Sequence, residues 1–264
     1  MAEEGRSDRK LRISACVITY NEEENIAGCL ESLHFCADVV VVDSFSTDRT
    51  LAISRQYTPR IYENRYDGNI SQKNFALGKV KYDWVLSLDA DERVSPELRE
   101  EIAREFARGF EGCSGYLIRR HVYYLGKWIN HCGWYPDYKL RLFDRRHGYF
   151  GGSEPHDTFI TEGKLKKLKG EIHHFPCDSL SEHLRTIDKY SSITAAELSG
   201  CSLGKAVALM IVAPFVKFVE MYIVKRGLLD GVRGLLICCI SSFSRFLRYA
   251  KAVELNLSRE RAKR

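Results

Sequence analysis

The chain has no apolar run near its start. MAEEGRSDRK is charged and polar, so no secretory signal is expected, and the reading places the chain in the cytoplasm. A disulfide framework is also missing. Nine cysteines is an odd number, and most of them (Cys16, Cys29, Cys36, Cys201, Cys238 and Cys239) sit inside apolar runs, as buried reduced thiols do. His173, His174 and Cys177 have no second ligand pair at zinc-site spacing, which argues against a structural zinc. No glycine-rich turn follows the first strand, where Tyr20–Asn21–Glu22 stands, and no P-loop occurs; nicotinamide and P-loop nucleotide binding are thereby disfavoured. Basic residues alternate with long aliphatic runs instead of forming a polar basic face, which disfavours a nucleic-acid partner.

What is present is the material of a folded α/β protein. The chain has 264 residues, 45% hydrophobic and 28% charged, enough for one large domain and an appendage. Its charge is uneven: residues 160–264 hold 18 Lys/Arg against 10 Asp/Glu, and the remainder 22 against 25, so the basic C-terminal part suits an anionic surface. Ile13–Tyr20 is a short, nearly continuous apolar run that passes into a helix, and Val39–Val42 is a second strand ending in Asp43. Ile61–Tyr62 is a weak third strand, a helix is expected over Ile70–Val80, and Trp84–Leu88 is a fourth strand. Ser95–Pro96–Glu97 carries a strong helix-start signal. This is a doubly wound pattern with a mostly parallel sheet, and ligands of such sheets bind beyond the carboxyl ends of the strands. From Gly115 to Phe159 the texture becomes aromatic, basic and glycine-rich, as in irregular or antiparallel structure. A helix is expected over about Leu180–Leu198.

Asp89–Ala90–Asp91 follows directly on an apolar strand. Two carboxylates two residues apart at a strand end can meet one hard cation, which would neutralise a diphosphate. Asp-x-Asp alone is common by chance. Here, however, Asp43 ends an earlier strand and Thr19–Tyr20–Asn21–Glu22 ends the first, so three polar strand ends converge on one edge. A phosphatase of the haloacid dehalogenase kind shares the Asp-x-Asp, but its motif continues with Thr or Val where this chain has Arg93.

At these residues the sequence resembles the family 2 glycosyltransferases, the inverting class with the nucleotide-diphospho-sugar (GT-A) fold. The matching segments are VITYNEEENI (17–26), VVVVDSFSTDRT (39–50), the Gln72–Lys73–Asn74 helix and DWVLSLDADERV (83–94). Within the family it is most similar to lipopolysaccharide-core β-glucosyltransferases, through YPDYKLRLFDRR (135–146), GGSEPHD (151–157) and the KRGLLDGVRG turn (225–234) in an apolar tail. The resemblance implies an N-terminal tail (1–10), a GT-A domain (11–200) and a hydrophobic, basic helical region (201–264). It implies that Thr19, Tyr20, Glu22 and Asp43 hold the base and ribose of a nucleotide-sugar, and that Lys73 approaches its diphosphate. Asp89 and Asp91 would hold ribose and a Mg²⁺ or Mn²⁺ ion. An inverting transfer also needs a carboxylate that deprotonates the acceptor hydroxyl. Asp157 of Pro155–His156–Asp157 takes that role, with Glu154 in reserve, although relatives usually carry glutamate there. His156 is either a positioning or a core residue. Lys139, Arg141 and Arg145 are candidates for donor or acceptor phosphate, or else form a solvated basic strand edge. The implied donor is UDP-glucose and the implied acceptor a lipid-linked saccharide, the inner core of lipopolysaccharide. The rival is a protein of the same fold that binds nucleotide-sugar or membrane without turnover; release of nucleoside diphosphate separates the two.

Two further apolar stretches, Ala206–Val224 and Leu228–Leu247, are long enough to cross a bilayer. The first holds Pro214, Lys217 and Glu220 and the second Asp230 and Arg233, and a charge at mid-span costs about 2.5–3.5 kcal/mol. Helices lying in the interface of an anionic membrane are therefore expected, ahead of core or oligomer contacts and of true spans.

Overall fold

A computed structural model describes residues 10–153, 156–177, 179–198 and 200–262. By contacts the chain forms two compact units: one comprises the chain up to His121 together with Asp137–Phe175, the other Val122–Pro136 together with Pro176 onward. The division falls at Phe175/Pro176 and assigns a fifteen-residue loop to the helices, whereas the sequence reading divides at residues 200/201. Packing of the helix at Leu180–Glu197 on the long last helix draws the boundary forward.

The first unit begins β1 (Leu11–Thr19), α1 (Ile26–Ser32), β2 (Cys36–Asp43), α2 (Thr50–Ser54), β3 (Ile61–Glu63), α3 (Asn69–Leu77) and β4 (Trp84–Asp89). It continues with β5 (Glu92–Val94), α4 (Pro96–Ala107), β6 (Gly115–Tyr124, which runs on into the second unit), β7 (Lys127–Trp128, in the second unit), β8 (Asp137–Asp144), β9 (Gly148–Ser153), β10 (His156–Thr161) and β11 (Leu165–His174). The main sheet has the order β3-β2-β1-β4-β8-β6-β11-β5. It is parallel from β3 to β4, and β8 joins β4 and β6 antiparallel. The strands of the parallel half read as apolar runs because both faces are covered. Successive residues go to opposite sides: Ile13, Ala15 and Val17 pack with α1 and α4, whereas Cys16, Val40 and Val42 pack with α3.

Two features escaped the sequence reading. β5 is only three residues long, too short to show a period, and it pairs antiparallel with β11 so that His174 faces Glu92 and His173 faces Arg93. The start of α4 is as expected, with Ser95 Oγ accepting from Leu98 N at 3.2 Å. β11 comes so close to this helix that a Cβ on Gly170 would lie 2.4 Å from Leu98 Cα, and only glycine fits.

The second unit adds α5 (Leu180–Glu197), α6 (Leu203–Val219, continued by a π turn to Val224), a 3₁₀ turn at Gly227–Asp230 and α7 (Gly231–Ala262). Its core is built from Tyr124, Ile129, Cys132, Cys177, Met221, Ile237 and Cys238. Asp230, buried near the start of the second apolar stretch, accepts from the backbone N–H of Asn130 (3.2 Å) and of His131 (2.9 Å), so this acid is a structural latch.

Candidate functional site

The carboxyl ends of β1, β2 and β4 lie side by side, since Thr19 pairs with Asp43 and Ile18 with Asp89 in register. Two residues just beyond these strands, Asn21 and Phe45, have left-handed backbone (φ 53° and 63°), an uncommon conformation for a phenylalanine and of the kind that concentrates at ligand sites. Asp43 is fully buried and accepts from Ser46 N (2.7 Å) and Ser46 Oγ (2.5 Å), which folds the β2–α2 loop against the edge. Asn21 Oδ1 accepts from Thr47 N at 2.8 Å and clips the first loop to the second. Thr19 Oγ1 is buried without a partner among the described residues, and Tyr20 is 57% exposed.

Asp89, Lys73 and Asp157 form one charged row. Lys73 Nζ, on α3 and only 3% exposed, lies 2.8 Å from Asp157 Oδ2 and 3.0 Å from Asp89 Oδ1. The second contact joins Lys73 to the buried Asp89 Oδ1 as an ion pair. Arg141 Nη2, from β8, lies 2.7 Å from Asp89 Oδ2 and 2.6 Å from Glu92 Oε1. Burial opposes charge on Asp89, but Arg141 and then Lys73 outweigh it and hold this carboxyl well below the usual carboxylate range. Burial likewise opposes the charge on Lys73, and Asp89 and Asp157 outweigh it, raising the ammonium above its ordinary value.

Asp91 is placed differently. Its Oδ2 lies 3.1 Å from His174 Nε2, while its Oδ1 is buried without a partner. Its backbone carbonyl accepts from Phe175 N at 2.9 Å, tying the loop to the end of β11. Glu22 stands nearby: burial pushes its carboxyl up to about 7, the Asn25 amide opposes this, and Asp91 and Asp48 add to it. Carboxylates crowd here with an orphaned oxygen and an imidazole beside it. That donor set fits a divalent cation completed by water and phosphate oxygens, for which one or two protein carboxylates suffice. Among the described residues no group of three or more His, Cys, Asp or Glu forms a ready-made cage.

Of the residues singled out from the sequence, the structure therefore brings Lys73, Asp89 and Asp157 into direct contact and sets Thr19 and Asp43 on the same edge. Glu154 lies outside the described residues, as does the side chain of His156. Arg141 is buried and its Nη2 is paired with two carboxylates. Lys139 pairs with Asp137 at 3.3 Å, and Arg145 donates to the Leu77 carbonyl at 3.1 Å. Sequence reasoning missed Glu92, which is fully buried and accepts from Asp89 N (3.1 Å), and Arg120, which joins Glu92 (3.4 Å) to Asp137 (2.8 Å). It also missed His174 as a neighbour of Asp91, because 83 residues separate them. The signal was the His173–His174 doublet at a strand end, where only pairing register tells which imidazole faces the site.

The network makes Arg141 a stability determinant. Replacing it by Met leaves Glu92 buried with the longer Arg120 contact and the Asp89 N–H, and breaking a buried ion pair costs about 3–5 kcal/mol. We expect Arg141→Met to lower the melting temperature by on the order of 10 °C, and Glu92→Gln in the same chain to restore part of it. Thermal unfolding at neutral pH checks this; an unchanged midpoint would show the pair to be energetically idle.

A model of the family described as glycosyl transferase family 2 matches residues 14–169. The chain is 30% identical over 255 residues to the lipopolysaccharide core biosynthesis glycosyltransferase LpsC of Rhizobium meliloti (strain 1021), covering 92% of each chain. It is also 30% identical over 266 residues to an uncharacterized glycosyltransferase of Rickettsia typhi (strain ATCC VR-144 / Wilmington), covering 93% of this chain and 88% of that one. Among solved structures it is similar to residues 1–349 of S. aureus TarS in complex with UDP-GlcNAc, at 16% identity and TM-score 0.46, covering 96% of this chain and 92% of that one.

Proposed function

The chain belongs to glycosyl transferase family 2, with its α/β GT-A fold, and from that premise we propose that it is an inverting, metal-dependent hexosyltransferase. Its donor on this reading is UDP-glucose and its acceptor a lipid-linked saccharide, the inner core of lipopolysaccharide. The observation that carries the reading is the row Asp89–Lys73–Asp157 on the carboxyl edge of the sheet, where a donor-site carboxylate and a candidate base meet at one buried lysine, with Asp91 and His174 paired at the turn that follows Asp89. The likeness to LpsC along the whole chain supports the acceptor class.

Each residue then has a task. Thr19 and Asp43 receive base and ribose under the Tyr20 ring, with Glu22 at the loop that follows. Asp89, kept ionised by Arg141 and Lys73, accepts from ribose hydroxyls. A Mg²⁺ or Mn²⁺ ion, when bound by Asp91 beside His174, supplies the charge that offsets the leaving nucleoside diphosphate. Asp157, paired with Lys73 at 2.8 Å, takes the proton of the acceptor hydroxyl. The test is release of UDP from UDP-glucose, scored with and without Mn²⁺ and with and without a lipid-linked acceptor, beside a panel of UDP-, GDP- and dTDP-sugars. Release independent of both additions would sink the reading; tighter binding of another sugar would correct only the donor.

The acceptor reading also asks for a membrane surface, which we place on the cytoplasmic face of the inner membrane. The residues of α6 that stand exposed, Val207, Ile211, Val212, Phe215 and Val216, form an apolar stripe at helical spacing. Val232, Leu235, Phe243 and Phe246 make a second stripe on α7. Leu203–Val224 and Gly227–Arg259 are each long and apolar enough to cross a bilayer. Pro214 and the Lys217–Glu220–Lys225 ion pairs within or beside the first favour a position along the interface. Lys217, Lys225, Arg226, Arg233, Arg245, Arg248 and Lys251 would meet lipid phosphates, each contributing about 1 kcal/mol near an anionic surface. The full chain is expected to float with phosphatidylglycerol-containing vesicles at low salt, more weakly at high salt. Absence from the vesicle fraction at low salt would assign the stripes to contacts between copies.

A further inference from the structure

Arg93 follows Glu92 on β5 and turns the other way. Glu92 meets Arg141 and Asp89, whereas the Arg93 guanidinium lies over the Phe175 ring (4.1 Å to the centroid) and against α1. A Cβ on Gly28 would be 2.6 Å from Arg93 Nε, so the bare glycine makes the seat in which this side chain lies. Arg93 Nε is buried without a partner, and among the described residues no carboxylate is ion-paired with Arg93. The arginines of the neighbouring strands differ: Arg119 has Glu171, Arg120 has Asp137, and Arg141 has Glu92. A half-buried guanidinium left without an acceptor is costly, and a ring contact offsets only part of that.

Arg93 lines a cavity of about 640 Å³ that Arg99, His34 and His173 also line. Arg99 Nη1 reaches His34 Nε2 at 3.3 Å and likewise has no carboxylate ion-paired with it among the described residues. Ser95 and Pro96, the N-terminal turn of the 12-residue helix α4, form part of the wall, which adds the positive end of a helix dipole. Glu31 is the one acid in the lining, while Glu171 and, after it, Glu97 at the start of α4 are close enough to act on His173. Two guanidiniums and two imidazoles therefore face a space of small-ligand size with one carboxylate among them.

We propose that this cavity is a second anion site, for a phosphate oxyanion held by Arg93 and Arg99, on the face of the β5–β11 pair that the donor edge does not use. Charge-assisted contacts from guanidiniums suit a phosphate group, and the volume leaves room for a small organic body attached to it. The inference does not rest on the proposed transfer reaction, because none of its residues belongs to the donor edge.

The experiment is a titration of the full chain with inorganic phosphate at constant ionic strength, with chloride as the control, followed by calorimetry and by the melting temperature. Saturable binding beyond chloride is expected, retained in Asp91→Ala and in the presence of saturating UDP. It should weaken at least about tenfold in Arg93→Met, in line with the loss of a charge-assisted contact. Gly28→Ala provides an independent variant that keeps the arginine but unseats it, and should weaken binding similarly. Binding that UDP displaces, or that Asp91→Ala removes, would locate the anion at the donor edge and overturn the proposal. So would binding that survives both Arg93→Met and Gly28→Ala, or no saturation beyond chloride.

Discussion

Asp91→Ala is expected to lower hexose transfer by about a thousandfold or more and to remove metal-dependent binding of UDP. The ion proposed for this site neutralises charge on the departing diphosphate, a contribution of several kcal/mol, and each 1.36 kcal/mol is tenfold in rate. Asp91 is the residue to remove because, among the described residues, neither of its oxygens is paired with a lysine or arginine. Asp89 is already engaged by Arg141 and Lys73, so its loss would disturb the charged row as well as the ligand. His174→Ala should be milder, about ten- to a hundredfold in metal affinity, the range for a group that orients or assists a ligand. UDP binding by calorimetry with and without Mn²⁺, beside initial rates, makes the comparison. An Asp91→Ala enzyme within tenfold of the parent rate in Mn²⁺ would mean that the metal site is elsewhere.

The second large effect is expected at Asp157. Asp157→Asn keeps the size of the side chain and its ability to accept a hydrogen bond from Lys73, but it cannot take a proton. Turnover should fall about 10²–10⁴-fold, the usual worth of a general base, while the affinity for UDP stays within a few-fold, since the lost group acts on the acceptor. Because Asp157 lies 2.8 Å from Lys73 and only 9% of its side chain is exposed, a change to Ala would confound the measurement by leaving a buried ammonium short of a partner. Glu154→Gln is the paired control. Should that variant lose turnover and Asp157→Asn keep it, the two carboxylates exchange roles.

Much of the edge was legible before any coordinates. Apolar runs that do not alternate announce strands covered on both faces, and polar residues gathered at their ends announce where a ligand sits. Thr19, Asp43 and Asp89 follow from that rule, and the structure aligns them in register. Ser95–Pro96 marked the start of α4 because capping is a local interaction between residues three apart. The apolar stretches were equally plain, since length and composition are properties of the sequence itself.

What the sequence by itself determined, then, was whatever depends on neighbours along the chain: strand and helix periods, caps, the parallel half of the sheet, and the set of carboxylates offered at its edge. The tertiary structure alone decided how those charges are partnered. Arg141, a phosphate ligand or a solvated strand edge by sequence alone, is buried and ion-paired with Asp89 and Glu92, some fifty residues away. Lys73 pairs with Asp157, 84 residues away, as well as with Asp89, and His174 rather than His173 turns to Asp91 because of the register between β11 and a three-residue strand. The reason is physical: an ion pair forms wherever folding buries opposite charges within a few ångströms, and its energy depends on that distance and burial, neither of which composition or spacing along the chain encodes.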